Sequence, residues 1–205
     1  YRYACEVFSK VPVTPGKKKR VGITGEIYMK YSKLGNDDIE SFLLRQGMEP
    51  YSGGFVNYCL YLVDTERYKA EKYQHNPIMV KACAFVLHRL CEAQKHLLTV
   101  IGETDRFQTD LPFPELKEKV QGILAEGCNT GDGWLIAAEV IQYVEKGCGS
   151  VLILHPFGCL VSHVCERGIL QRLHARFPDV SIQTIEYDYD QSKTLRESRI
   201  LLAIS

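Results

Sequence analysis

Val151-Leu152-Ile153-Leu154-His155-Pro156-Phe157-Gly158-Cys159-Leu160-Val161-Ser162-His163 joins an apolar run to a cysteine turn and then to a helix start. The run from Val151 to Leu154 is continuously apolar, short, and bounded by Gly149 and Pro156, the pattern of a strand buried on both faces of a parallel sheet. Ser162 stands where an N-cap is expected, and 162–177 reads as a helix. Cys159 therefore falls in a strand-to-helix turn. Such turns lie beyond the carboxyl ends of parallel strands, where open α/β sheets gather ligands and where helix amides favour negative charge, including a thiolate.

The same alternation extends outward from that segment. Arg20 to Gly25 reads as a first strand, and Asn36-Asp37-Asp38 as the N-cap and acidic first turn of a helix running to Gly47. Between them, residues 26–35 form a long loop at a strand's carboxyl end. After Gly131-Asp132-Gly133-Trp134, a helix carrying Ala137, Val140, Ile141 and Val144 stops at Gly147. Beyond Pro178, Val180 to Ile185 reads as a third strand, ending in Glu186-Tyr187-Asp188-Tyr189-Asp190. Strands alternating with helices imply an α/β fold with a mostly parallel sheet. Three loops, 25–35, 156–162 and 186–192, then converge at one edge.

Two regions depart from that pattern. Residues 1–19 read as a helix remnant followed by a linker containing Pro12, Pro15 and Gly16, which suggests a piece of a longer protein. Residues 20–205 form the α/β domain, interrupted over about 55–127 by a helical insertion. Within the insertion, Ile78, Ala82, Phe85, Val86, Leu90, Ala93, Leu97 and Ile101 recur at spacings of three and four, so one long helix beginning near Asn76-Pro77 serves them all. Cys83 and Cys91 lie on that helix and read as small core residues. A shorter helix follows Pro114.

Composition narrows the function classes. The 205 residues carry 25 Lys and Arg against 25 Asp and Glu, so no electrostatic footprint argues for nucleic acid or an anionic membrane. Apolar runs fall short of the roughly 18 residues that cross a bilayer. Eight cysteines without a secretory segment fit a reducing cytoplasm, and no Cys-x-x-Cys pair occurs, so any metal needs ligands from distant segments. Neither a Gly-x-Gly-x-x-Gly fingerprint nor a phosphate-binding P-loop is present.

For Cys159 three roles remain open: metal or cluster ligand, core filler, or nucleophile with His163 or His155 as base. Cys165 is expected to be buried against the sheet. Cys128 and Cys148 flank the helix 134–146, and either can reach Cys159 only through the fold. Glu26 can act as acid, base or loop-fixing acceptor. Asp188 and Asp190 suit either a metal or a solvated strand end.

Four segments together carry a resemblance: Val21 to Tyr28 with Lys30-Tyr31-Ser32 and Leu34-Gly35-Asn36; Gly131 to Leu135 with Glu139; Pro156 to Leu160 with His163; and Asp188-Tyr189-Asp190 with Arg199-Ile200. In these the chain resembles the 2-hydroxyacyl-CoA dehydratase superfamily, most closely its activase-related proteins. The resemblance implies a Rossmann-like or flavodoxin-like fold and a part in anaerobic metabolism, where an activator delivers an electron after ATP hydrolysis and a dehydratase removes water from a 2-hydroxyacyl-CoA. It implies that Cys159 is one ligand of a [4Fe-4S] cluster whose other ligands belong to upstream domains of the parent chain, with an ATPase domain or a dehydratase component as partner. On this resemblance Gly25, Glu26, Tyr28, Lys30, Asn36, His163 and Asp188 are substrate-pocket candidates, acyl-CoA is a candidate ligand, and the fragment alone is inactive. Relatives carry Leu-Pro-Asn-His after the cysteine, where this chain has Leu160-Val161-Ser162-His163.

Overall fold

The computed structural model describes residues 1–13, 16–104 and 106–205; Pro15 of the expected linker lies outside them. In chain order the elements are α1 (Arg2–Ser9), β1 (Arg20–Gly25), α2 (Ile27–Tyr31), α3 (Ile39–Arg45), β2 (Glu49–Tyr51), α4 (Val56–Lys72), α5 (Pro77–Gly102), α6 (Phe113–Lys119), α7 (Gly133–Glu145), β3 (Ser150–Pro156), α8 (Leu170–Arg176), β4 (Ser181–Tyr187) and α9 (Lys193–Ile204). The chain divides into two compact units: 1–17 with 54–118, and 18–53 with 119–205. No helix among the described residues is long and apolar enough to cross a membrane.

The second unit is α/β. Its four strands are all parallel, in the order β2-β1-β3-β4, flanked by helices. That is the strand order of the first four strands of flavodoxin-like sheets, and the order reverses between β1 and β3. β3 is central, pairing Val151 with Gly22 on one side and with Ile182 on the other. Val151 to Leu154 are wholly buried, as a continuous apolar run requires of a strand covered on both faces. The core gathers Val21, Ile23, Ile39, Leu43, Leu152, Leu154, Ile185 and Ile200.

Local chemistry explains the departures from the sequence reading. β2 is an element the sequence does not announce: Glu49-Pro50-Tyr51 is short and proline-bearing, which only an edge strand accommodates. The expected continuous helix over 162–177 is instead a π-helix (Ser162–Glu166), a 3-10 turn (Arg167–Ile169) and then α8. Ser162 is no N-cap: its hydroxyl is buried without a hydrogen-bond partner, and Ser162, Cys165 and Glu166 form the buried side of this turn. Before α3, Asp37 and Asp38 adopt left-handed backbone with φ of 55° and 51°, and Asn36 rather than Asp38 accepts the Ile39 N–H, at 3.3 Å.

The first unit is helical. Asn76 caps α5 by accepting from Met79 N at 3.1 Å, and Pro77 starts the helix. α4 and α5 pack together, joined through Gln94, which donates to Asn57 at 2.6 Å and accepts from Phe113 N at 2.9 Å. The expected helix is present, but the apolar stripe is not its buried side. Ile78 is 80% and Phe85 68% exposed, with Val86 and Leu90 also exposed, whereas Gln94 and Val100 are buried.

Gly25 ends β1 with φ of +130°, and a Cβ there would come 2.0 Å from the Leu154 carbonyl oxygen. Both the backbone angle and the approach of β3 require glycine. Gly25→Ala is therefore expected to destabilise the protein by about 3 kcal/mol or more, measured as a lower urea midpoint.

Candidate functional site

The strand order reverses between β1 and β3, so the loops after these two strands flank the crevice in which open parallel sheets bind ligands. Their backbones are stitched together. Glu26 N donates to the Leu154 carbonyl at 2.8 Å, and Phe157 N to the Tyr187 carbonyl at 2.9 Å. The loops after β1, β3 and β4 thus meet at one edge, as expected.

Cys159 lies half-buried in the turn after β3, between the exposed side chains of Phe157 and Leu160, and its thiol is free. Gly158, at φ +72°, makes the turn. His163 Nδ1 is 2.8 Å from the Cys159 carbonyl oxygen, so its contact is with the backbone and not the thiol. His155 is buried, Nδ1 lies 3.2 Å from the Pro156 carbonyl oxygen, Nε2 has no partner, and burial pulls its pKa down. Its ring meets that of His163 edge-on at 5.8 Å.

Beneath the turn lies a layer of carboxyl groups. Lys30, on α2, is buried and reaches Glu139 of α7 at 2.7 and 2.9 Å, and the Thr24 hydroxyl donates to the same carboxylate at 2.5 Å. Burial alone would depress the Lys30 ammonium, but the Glu139 charge and hydrogen bond together with Tyr143 and Tyr31 outweigh it, so the pKa is raised. Asp132 accepts from Ile27 N at 3.3 Å. Desolvation, aided by the charges on Glu26 and Glu139 and opposed by the Ile27 bond and Lys30, raises its pKa to about 7. Glu166 is fully buried with neither carboxyl oxygen hydrogen-bonded, and desolvation and Asp132 push it up to about 8 against the pull of the nearby Ser162 hydroxyl and Arg167. Arg167 itself is paired with Glu186 at 2.8 Å.

The sequence-derived candidates divide by what they touch. Lys30 reaches inward to Glu139, whereas Glu26 caps α2 by accepting from Met29 N at 3.0 Å. Asn36 donates to the Met29 carbonyl at 2.8 Å and fixes the loop, and Tyr28 is half-exposed with its ring against Gly35. Asp188 accepts from Asp190 N at 3.2 Å, a strand-end turn. Cys148 is buried, and burial raises its thiol to about 11. Cys128 is half-buried with a free thiol. No group of three or more His, Cys, Asp and Glu among the described residues is arranged to hold a metal ion.

Asp132 and Glu166 are site residues that sequence reasoning misses. Each belongs to a cluster assembled across more than thirty residues of chain, although Glu139, alone among Ile136-Ala137-Ala138 and Val140-Ile141, is a charge in a helix otherwise apolar there. The chain matches no family model, no curated protein and no solved structure.

The acid layer makes both its ion pair and its protons measurable. Lys30→Met strands the Glu139 carboxylate and is expected to cost about 3–5 kcal/mol in denaturant unfolding, while Lys30→Met with Glu139→Gln recovers about half of it. Asp132 and Glu166 hold protons in the folded state that an unfolded carboxyl, at about 4, has already released. Their contribution is complete below the unfolded value and is lost as pH rises through about 7 and about 8. Stability should thus fall from about pH 4 up to about 7 for Asp132 and about 8 for Glu166, by up to about 1.4 kcal/mol per pH unit for each proton, and level off above; Glu166→Gln should flatten that slope and stabilise the protein at about pH 9.

Proposed function

We propose that this chain is a domain of an activase-related, 2-hydroxyacyl-CoA dehydratase-like redox protein, in which Cys159 provides one thiolate of a [4Fe-4S] cluster. The observation that carries this reading is the position of Cys159: a half-exposed free thiol at the point where the strand order reverses, set between the exposed apolar side chains of Phe157 and Leu160. Thiolates hold iron, and apolar neighbours keep water from a cluster and set its potential. The absence of a three-ligand group among the described residues means that, in this reading, the other ligands come from outside the chain. Exposed Phe157, Leu160 and Val164 are then covered by the segment that brings them.

An iron-sulfur cluster, when bound, supplies one-electron transfer. The chain's own residues hold the thiol at the edge: Gly158 turns the backbone, and His163 holds the Cys159 carbonyl. Below, Lys30, Glu139 and Thr24 fix the β1 loop that forms the facing wall. Acyl-CoA as the substrate, a cytoplasmic and anaerobic setting, and an ATPase or dehydratase component as partner belong to the same proposal and rest on the four-segment resemblance.

A second reading is a docking module whose cysteines are merely packed. It is supported by the exposed apolar face of α5, where Ile78, Met79, Phe85 and Val86 stand outside the helical unit. Anaerobic reconstitution of the full-length parent with iron and sulfide separates the two. The cluster reading expects visible cluster absorption with roughly four irons per protein, both lost in Cys159→Ser. Unchanged iron and absorption in that variant would sink the ligand role, and an iron-free protein would favour docking.

A further inference from the structure

We infer that β4 is a pairing edge for a second copy of this chain: two β4 strands meet antiparallel across a twofold axis at Ile185 and join the sheets of both copies into one. β4 is the last strand in the order β2-β1-β3-β4, so among the described residues only β3 pairs with it. Ser181 N donates to the Gly149 carbonyl at 3.2 Å, and the Tyr187 carbonyl accepts from Phe157 N at 2.9 Å. In a parallel ladder the N–H and C=O of one residue point to the same side, and that side alternates along the strand. Ser181, Gln183, Ile185 and Tyr187 therefore turn their backbone groups to β3, and Ile182, Thr184 and Glu186 turn theirs outward. His174 Nε2 lies 2.9 Å from the Ile182 carbonyl oxygen, as that direction requires. The N–H and C=O groups of Thr184 and Glu186 have no hydrogen-bond partner among the described residues.

The two edges of the sheet are built differently. β2 closes one side with 3 residues, one of them Pro50, and so offers little to another strand. β4 has 7 residues, no proline, no lysine and an unbroken register against β3. Its one charge, Glu186, is paired with Arg167 at 2.8 Å, and Gln183 is exposed. An edge of that kind is a template for a further strand.

The free groups are self-complementary, which is why the occupant is a second copy. With the axis at Ile185, Thr184 lies opposite Glu186 of the second copy; the two exchange N–H and C=O, and the axis repeats the exchange. The second copy's strand then ends at Tyr187, opposite Gln183, one residue short of the Ile182 carbonyl that His174 already holds. An axis at Thr184 would instead run Glu186 of the second copy into Ile182 and His174. In the Ile185 register each Glu186 carboxylate faces a Thr184 hydroxyl and not its own copy, so like charges are not opposed. Sheets joined this way run in opposite directions, and the two Cys159 turns lie at opposite edges of the joined sheet. Pairing therefore brings no further ligand to Cys159, and the inference holds independently of the cluster reading.

Sedimentation equilibrium of the full chain across a concentration series tests this. The strand contact is small, so the expected state is a concentration-dependent dimer. Thr184→Pro removes only an outward N–H, which an edge strand tolerates, and should abolish the dimer while leaving the circular dichroism spectrum unchanged. Thr184→Glu, set opposite Glu186 of the second copy, should weaken association about tenfold, whereas Thr184→Lys should preserve it. In hydrogen exchange the Glu186 amide should gain protection with concentration in the unsubstituted chain and not in Thr184→Pro. A chain that stays monomeric up to about 1 mM would overturn the inference. So would equal weakening by Thr184→Lys and Thr184→Glu, or a dimer that survives Thr184→Pro and is lost in Phe85→Glu, which would place the contact on α5.

Discussion

The ion pair between Lys30 and Glu139 is the constraint on which the sheet edge depends, because it supplies positive charge inside a layer otherwise made of acids. Glu26, Asp132, Glu139 and Glu166 act on one another electrostatically, and among the described residues only Lys30 and Arg196 are buried cations. Arg196 is occupied elsewhere, paired with Asp37 and stacked 4.6 Å over the Tyr187 ring. Burial, with the neighbouring carboxylates adding to it, lets two of the acids keep protons into the neutral range, and one ammonium does not offset this. The pair also has a mechanical consequence. It joins α2 to α7 across β1, and with Thr24 it sets where the loop after β1 begins.

How much of this was legible follows from the range of each interaction. The β3 strand could be read because, in an alternating α/β pattern, a short continuous apolar run fits little except a strand covered on both faces. The cysteine turn followed from its neighbours, and so did the convergence of the three loops. β2 could not be read, since a three-residue strand containing Pro50 has no period to detect. The stripe on α5 marked a helix correctly and its buried face wrongly. Periodicity locates an apolar face but carries no information on which neighbour covers it, and here the tertiary contact is made through polar Gln94 and Asn57.

The candidate site divides in the same way. Glu26 at the end of β1 was visible as a loop-fixing acceptor, and it caps α2. Lys30 was named only through resemblance, and its buried partner is 109 residues away. A charge at Glu139 in the middle of an apolar helix is the kind of local inconsistency that marks a distant partner. Glu166 gave no such signal, because a Glu near the start of an expected helix looks solvated. It lies on the buried side of the π-helix with Ser162 and Cys165, a face that only the tertiary packing covers.

That widened turn also separates two kinds of cysteine chemistry within a short stretch of chain. Cys159 precedes it and stays at the edge, where a thiolate can be solvated or bound. Cys165 lies within it, buried beside Glu166, and the negative charge of that carboxylate and the lack of water both oppose ionisation. Ser162, Cys165 and Glu166 stand at i, i+3 and i+4, the spacing that shares one helix face, and all three are buried while His163 and Val164 are exposed. Position on that face carries Cys165 into the interior, whereas Cys159, ahead of the helix, stays half-buried at the edge.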